Sequence, residues 1–293
     1  MNALRPSTCW RLPGFRLLGG AALILLLCGQ LLSCASKQPP PSKPRPSALE
    51  AWDAFWSLQE DASKWSGYSL KASLNLSTPQ SKRRITLDMW GNYGLPLRID
   101  LQAGLGTTFA LWRVDAEGLL AYYPREHRAF VHRDSLEAAA RLGLHLPFSV
   151  QEIARLLTGR WQGIVPGEFA SAGPLDATRW SYRFPEAAPV NRLILDNEGR
   201  MLRLEGEAPY AWSLECTHYE RFDGHSLGQH FVLRTERKER SVLRIKKLDL
   251  KKEPWPVSSL QIELPPNTMF VPLRGTSSQT SSAHASSASP ACT

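Results

Sequence analysis

Cysteine and methionine are scarce in this chain, whose 293 residues include five Cys and four Met. The cysteines have no regular spacing, which argues against a disulfide scaffold or a structural zinc site. Asp, Glu, Lys and Arg are absent from residues 17–32 and from residues 275–293. These two uncharged segments do not make the whole chain disordered. Of its residues, 43% are hydrophobic, which is enough to build a sizeable core.

The first uncharged segment has the features of a secretory signal. Residues 17–32 are rich in leucine, follow Arg5, Arg11 and Arg16, and are fewer than the roughly 20 residues that a spanning helix needs. The segment runs into Leu-Leu-Ser-Cys at residues 31–34, which resembles the lipobox of bacterial lipoproteins. The sequence therefore predicts export from the cytoplasm.

The lipobox resemblance implies that Cys34 becomes the lipidated first residue of the mature protein. Cys28 is the weaker candidate, because Leu27 before it is too large for that cleavage. Ala35 is not acidic, which in the sorting logic of such proteins favours the outer membrane, with the chain facing the periplasm. The alternative is an uncleaved membrane anchor whose cysteines are incidental.

Composition divides the chain into four parts. Residues 1–33 form the signal peptide, and residues 34–48 form a tether whose five prolines favour an extended conformation of about 3.1 Å per residue. Residues 49–274 form the folded body. Residues 275–293, which are rich in Ser, Thr and Ala, are predicted to be disordered.

The body reads as mainly β, in the α+β class. Apolar and polar residues alternate along about eleven short segments separated by turn signals, the last of them at residues 260–264. Leu248 and Leu250 are out of phase with Ile245, which predicts a bulge. Strands follow one another through short turns, so we expect one strongly curved antiparallel sheet.

Three helices accompany the predicted strands. Leu49, Trp52, Phe55 and Trp56 have helical spacing at the N-terminus of the body, behind a capping box at Ser47. This aromatic face suits either the wall of a groove or packing on the sheet. Two short helices lie mid-chain, one capped near residues 134–135 and one at residue 149.

Two stretches resemble the LolA/LolB family of lipoprotein carriers, in particular LolB. Residues 90–111, WGNYGLPLRIDLQAGLGTTFAL, are similar to the LolB segment in which a short glycine-flanked loop joins two strands. Residues 142–161, LGLHLPFSVQEIARLLTGRW, are similar to the LolB segment that leads through a proline into a helix. The order of helix, strands, helical interruption and strands agrees as well.

This resemblance implies a half-barrel with an apolar cavity for acyl chains. It implies a protein that receives lipoproteins from a periplasmic LolA-like carrier and inserts them into the inner leaflet of the outer membrane, to which Cys34 anchors it. Leu105, flanked by Gly104 and Gly106, matches the protruding leucine that LolB needs for insertion. The alternative for Leu105 is a hairpin residue that packs back on the sheet.

Six residues are predicted to line the cavity. They are apolar residues of the alternating strands and of the second mid-chain helix: Leu74, Leu87, Ile99, Leu111, Leu156 and Trp212. The sequence does not say which strand face points inward, so a solid core formed by the same residues remains the alternative.

Catalytic motifs lack their context. Residues 224–228, Gly-His-Ser-Leu-Gly, match the nucleophile elbow G-x-S-x-G, but strand-like sequence follows where a helix is required. His127 and His132 match no metal-ligand spacing. We therefore expect no enzyme, no metal and no cofactor.

A basic run occupies residues 234–252. It suits a solvated hairpin face, or alternatively a surface for anionic headgroups or an acidic carrier. Nucleic acid is not expected behind a signal peptide.

Two functions remain open. The first is a LolB-like outer-membrane lipoprotein that binds acyl chains and transfers lipoproteins without catalysis. The second is a lipid-anchored structural or envelope-assembly subunit that binds a protein partner and carries no lipid.

Overall fold

The computed structural model describes residues 46–104, 106–222 and 225–273. The predicted signal peptide, Cys34, nearly all of the tether, Leu105 and the predicted tail lie outside these residues. Within them, three α-helices accompany the strands: α1 (Ala48–Ala62), α2 (Ser135–Arg141) and α3 (Val150–Leu157). Short 3-10 helices occupy Pro124–Glu126 and Val257–Leu260.

Fourteen strands lie in the described residues and belong to one sheet. In chain order they are β1 (Gly67–Ser77), β2 (Lys82–Asn92), β3 (Leu97–Ala103), β4 (Thr107–Asp115), β5 (Gly118–Tyr123), β6 (Arg128–His132), β7 (Ser171–Pro174), β8 (Arg179–Arg183), β9 (Arg192–Asp196), β10 (Met201–Gly206), β11 (Trp212–Phe222), β12 (His225–Thr235), β13 (Arg240–Lys251) and β14 (Met269–Pro272).

The sheet is curved, does not close, and has the order β14-β6-β5-β4-β3-β2-β1-β13-β12-β11-β10-β9-β8-β7. Neighbouring strands are antiparallel except β14, which runs parallel to β6. The long-range pair β1–β13 joins two meanders at the centre of the sheet. The predicted fold class, an open antiparallel half-barrel with few helices, is confirmed.

The main core lies between the helices and the inner face of the sheet. Alternation along each strand supplies this face, as in β3, where Leu97, Ile99 and Leu101 are buried. Helix α1 packs over the β7–β9 side of the sheet through Trp52, whose ring centre is 5.1 Å from that of Tyr182. The aromatic face of α1 therefore packs on the sheet, although Leu49 remains exposed.

The opposite, outer face carries a second and smaller apolar cluster. Residues 252–268 cross this face after β13, and Ile262 packs there with Tyr122 and Ala129. Two polar contacts hold the crossing segment: Trp90 Nε1 donates to the carbonyl oxygen of Ser259, and Arg98 donates to that of Gln261. The segment ends in β14 beside β6.

The predicted bulge in β13 is confirmed. Lys71 pairs with Lys247 and Ala72 pairs with Ile245, so Lys246 is an extra residue without a partner on β1. The insertion shifts the side-chain alternation by one residue, because strand side chains repeat every second position. This shift is why Leu248 and Leu250 share a face with Ile245.

The described residues contain fourteen strands, more than the expected number of about eleven. The structure adds β7, β8 and β14, which are short and lie at the two edges of the sheet. Residues 260–264, expected as a strand, instead follow a 3-10 helix as an extended segment on the outer face, where Leu260 and Ile262 are buried. Apolar residues alternate in this segment because they pack on the sheet, although the segment forms no strand of it.

Candidate functional site

An apolar cavity of about 120 Å³ lies between the inner face of the sheet and the segment that contains α3. The sheet supplies one wall: Leu74, Leu76, Ile85, Leu87, Met89, Ile99, Leu101, Trp112, Leu214, Phe231, Leu233, Ser241 and Leu243. Apart from the Ser241 hydroxyl and the Trp112 indole, these side chains carry no nitrogen or oxygen. Such a surface attracts hydrocarbon and not ions.

Residues 142–161, which we call the helical insert, supply the other wall. Its cavity-lining members are Leu144, Leu146, Phe148, Val150, Ile153, Leu156 and Leu157. Ser149 begins α3 with a capping box, because its side chain accepts from the Glu152 N–H while Glu152 reaches back to the Ser149 N–H. Gly159, with a φ of 79°, lies just beyond the end of the helix.

Several polar and aromatic contacts attach the helical insert to the rest of the fold. Phe148 packs edge-on against Trp212 with ring centres 4.7 Å apart. Gln151 donates to the carbonyl oxygen of Tyr93 at 3.3 Å, and Trp161 N–H donates to Gln59 of α1 at 2.6 Å. Arg160 adds further contacts near the end of the insert. The insert is thus held at several points, while its apolar side chains face the cavity.

Four of the six residues predicted to line a cavity lie in its walls: Leu74, Leu87, Ile99 and Leu156. Trp212 is buried beneath Phe148 and supports the wall from behind. The role of these residues in binding an acyl chain stays a prediction.

Leu111 lies on the opposite face of the sheet from the other five residues. It packs in the outer cluster near Tyr122 and Ile262. In the pairing of β3 with β4, Leu101 faces Ala110 and Gln102 faces Thr108, so Phe109 is bulged and the phase changes. The inward residues of β4 are therefore Ala110, Trp112 and Val114, which are buried.

The lining residues of the helical insert other than Leu156 were not predicted from the sequence. Leu144, Leu146 and Phe148 alternate ahead of α3, as a strand would, although they lie outside the sheet. Within α3, Val150, Ile153 and Leu157 continue the face of Leu156 at helical spacing. That spacing was the signal that could have identified them.

The loop predicted to insert into lipid is described only by its two glycines. Gly104 and Gly106 are exposed and have φ values of 57° and 93°. A Cβ atom at either position would meet no heavy atom within 4 Å. Leu105 itself lies outside the described residues, so its role stays a prediction.

The nucleophile-elbow motif falls in a hairpin. Ser226 lies in β12 opposite Arg221 of β11, whereas an elbow serine sits on a turn between a strand and a helix. The neighbouring His225 packs edge-on against Trp65 with ring centres 5.9 Å apart. Among the residues that the structure describes, no three His, Cys, Asp or Glu side chains are grouped to bind a metal ion.

The basic run contributes an ion pair and part of a shallow depression to the outer face of the sheet. Arg234 forms an ion pair with Glu215 at 2.7 Å on the outer face. Arg244 and Lys246 lie nearer the centre of that face, where they line a shallow depression with Arg84, His218 and His230. Burial and the neighbouring Arg244 lower the pKa of His230.

The fold matches solved structures of low sequence identity. A LolA superfamily protein from Nitrosomonas europaea is similar with a TM-score of 0.51 and 11% identity, over 71% of this chain and 97% of that one. A DUF1329 family protein from Desulfovibrio piger is similar with a TM-score of 0.50 and 10% identity, over 72% and 98% of the two chains. No family model and no curated protein matches the sequence.

These neighbours confirm the LolA/LolB-like resemblance for the fold. The described helices are each too short or too polar to cross a bilayer.

Proposed function

We propose that this chain is a non-catalytic lipoprotein of the bacterial envelope that binds acyl chains in the cavity between the sheet and the helical insert. In this proposal it receives lipoproteins from a periplasmic LolA-like carrier. It then inserts them into the outer membrane, where lipidated Cys34 anchors it. The observation that carries the proposal is the nearly complete absence of polar atoms from the cavity wall.

Hydrocarbon binding to such a wall is favourable. Each methylene that leaves water contributes about 0.8 kcal/mol. The cavity, at about 120 Å³, is comparable to engineered apolar cavities of about 150 Å³ that hold benzene, so as it stands it accepts a few methylenes. A whole acyl chain requires the helical insert to move away from the sheet, and such a movement must break the polar and aromatic contacts that hold the insert.

The proposal is tested by the lipid that copurifies with the chain. The filling variant is Leu74→Trp, because Leu74 is half-buried and borders the empty space. Its matched control is Asn75→Trp, because side chains alternate along β1 and Asn75 points to the other face. Mass spectrometry should find acyl lipid with the wild type and with Asn75→Trp, and markedly less with Leu74→Trp.

Insertion is tested separately at the loop. Leu105→Glu places a charge where the proposal requires an apolar tip that enters the bilayer. Acceptance of a lipoprotein from the carrier should persist while its delivery into liposomes falls. Unchanged delivery would show that the loop does not insert, without affecting the acyl-binding proposal.

The second candidate function, an envelope-assembly subunit that carries no lipid, is favoured by the small volume of the cavity. It predicts that no acyl lipid copurifies with the wild type and that Leu74→Trp stabilises the fold by filling the space. It also predicts that lipoprotein sorting continues in cells depleted of the protein.

A further inference from the structure

A partly polar pocket of about 270 Å³, which we call the mouth pocket, borders the cavity. Four residues line both spaces: Leu76, Leu144, Leu146 and Ser241. An apolar space beside a partly polar one suits a ligand with a hydrocarbon end and a polar end.

Arg83 supplies the cation of the mouth pocket. It lies on β2 opposite Leu76 of β1, where the mouth pocket borders the cavity. The next residue, Arg84, lines the depression on the outer face, because consecutive strand residues point to opposite faces. The two arginines are thus adjacent in sequence and separated by the sheet.

Arg83 is exposed and forms no ion pair with any described residue. Glu239 also lines the mouth pocket, and its carboxylate lies 3.7 Å from His145 Nδ1, a contact that is an ion pair only when the imidazole is protonated. The hydroxyls of Thr78 and Ser81 are 3.2 Å apart and bond to each other. Ser77, Ser241 and His145 also border the pocket, so Arg83 is its one permanently charged donor among the described residues.

We propose that the ligand is an amphiphile with an anionic headgroup, whose tail enters the cavity and whose carboxylate or phosphate is bound by Arg83 in the mouth pocket. This inference rests on the acyl-binding part of the proposed function. It adds a second class of ligand, because the lipidated cysteine of a lipoprotein carries no carboxylate or phosphate. A guanidinium binds both anions through paired N–H donors, so the structure fits a fatty acid and a phosphate ester alike.

The test compares eight-carbon amphiphiles that differ only in the headgroup. The full chain is held in phosphatidylcholine nanodiscs, and binding is measured by calorimetry with empty nanodiscs as the blank. Octanoate and octyl phosphate carry the anion, and octyl glucoside is neutral. We expect both anions to bind about fivefold more tightly than the glucoside, which is the modest gain typical of a partly solvated ion pair.

Two variants assign that gain to one residue. Arg83→Gln should remove the fivefold preference and leave the affinity for octyl glucoside unchanged, and Arg84→Gln should change neither. A preference for octanoate over octyl phosphate would indicate a fatty acid, and the reverse a phospholipid. In either case the anionic class is supported.

The inference would be overturned if all three amphiphiles bound equally, or if Arg83→Gln retained the preference. The proposed function fails differently. If the glucoside and both anions failed to bind at all, hydrocarbon binding itself would be excluded, and the headgroup inference with it.

Discussion

The guanidinium carbon of Arg160 lies 3.5 Å from the centre of the Tyr93 ring. The same guanidinium donates to the carbonyl oxygens of Ala62, at the end of α1, and of Trp65. One side chain thus joins the end of the helical insert, the last turn of α1 and the connection between β2 and β3. A cation at a helix C-terminus is favoured by the helix dipole, and the aromatic contact adds to it.

Arg160→Gln should destabilise the fold by about 2 kcal/mol, since charged hydrogen bonds and the ring contact are lost together. Arg160→Lys should not restore the loss, because an ammonium cannot reproduce the planar fork. Denaturant unfolding measures both. Arg125→Gln, in an exposed 3-10 turn, is the control and should change the free energy of unfolding by less than about 0.5 kcal/mol.

The turn between β9 and β10 fits against α1 only if residue 199 is glycine. Gly199 has a φ of 75°, and a Cβ atom there would lie 2.4 Å from the Phe55 nitrogen. Gly199→Ala should therefore cost more than about 2 kcal/mol, from the left-handed backbone and from the overlap with α1. Gly173→Ala is the control, because nothing lies within 4 Å of its added Cβ. Equal melting temperatures for the two variants would show that α1 can move aside.

Leu111 and Leu87 test the assignment of the two faces. Leu111 belongs to the outer cluster and Leu87 to the cavity wall. Leu87→Ala should lower stability by about 2–5 kcal/mol and alter the affinity for octyl glucoside. Leu111→Ala, at a half-buried site, should cost about 1–2 kcal/mol and leave that affinity unchanged. A change in affinity with Leu111→Ala would contradict the placement of the cavity.

Local sequence patterns predicted much of this fold. The phase change between Ile245 and Leu248 identified the bulge at Lys246, because one extra residue reverses the alternation. The capping pairs of Ser47 with Glu50 and of Ser149 with Glu152 are both formed, since they need only residues three apart. The bulge and the capping boxes could therefore be predicted from the sequence, because each depends only on residues close together in the chain.

The remaining features depend on contacts that are distant in sequence. Ser171–Pro174 has no alternation to read, and it is a strand because β8 pairs with it. Leu111 was assigned to the cavity because the bulge at Phe109 is visible only from the register of β3. Leu144 and Leu146 alternate because they line the cavity, not because they pair in the sheet. The sequence alone does not distinguish these two causes of alternation.

Cys216 should be chemically inert in the folded protein. Its side chain is buried, and burial raises the pKa of the thiol to about 11. Reaction with a thiol reagent at pH 8 should thus be slow in the native state and fast in denaturant, because the thiolate is the reactive form. A native rate for Cys216 as high as its rate in denaturant would show that the thiol is accessible.

The same burial predicts that stability falls at alkaline pH. The folded pKa of Cys216 lies above the ordinary value of about 9, so its contribution is complete below pH 9 and is lost between about pH 9 and 11. The slope is about 1.4 kcal/mol per pH unit for one group. Burial also raises the pKa of Tyr68 and Tyr219, which extends the loss of stability to higher pH.

Denaturant unfolding of the wild type and of Cys216→Ala from pH 7 to 11 measures this loss. The free energies of unfolding of the two proteins should run parallel up to pH 9, and that of the wild type should then fall more steeply. Parallel curves over the whole range would show that the thiol does not ionise differently in the folded and unfolded chains.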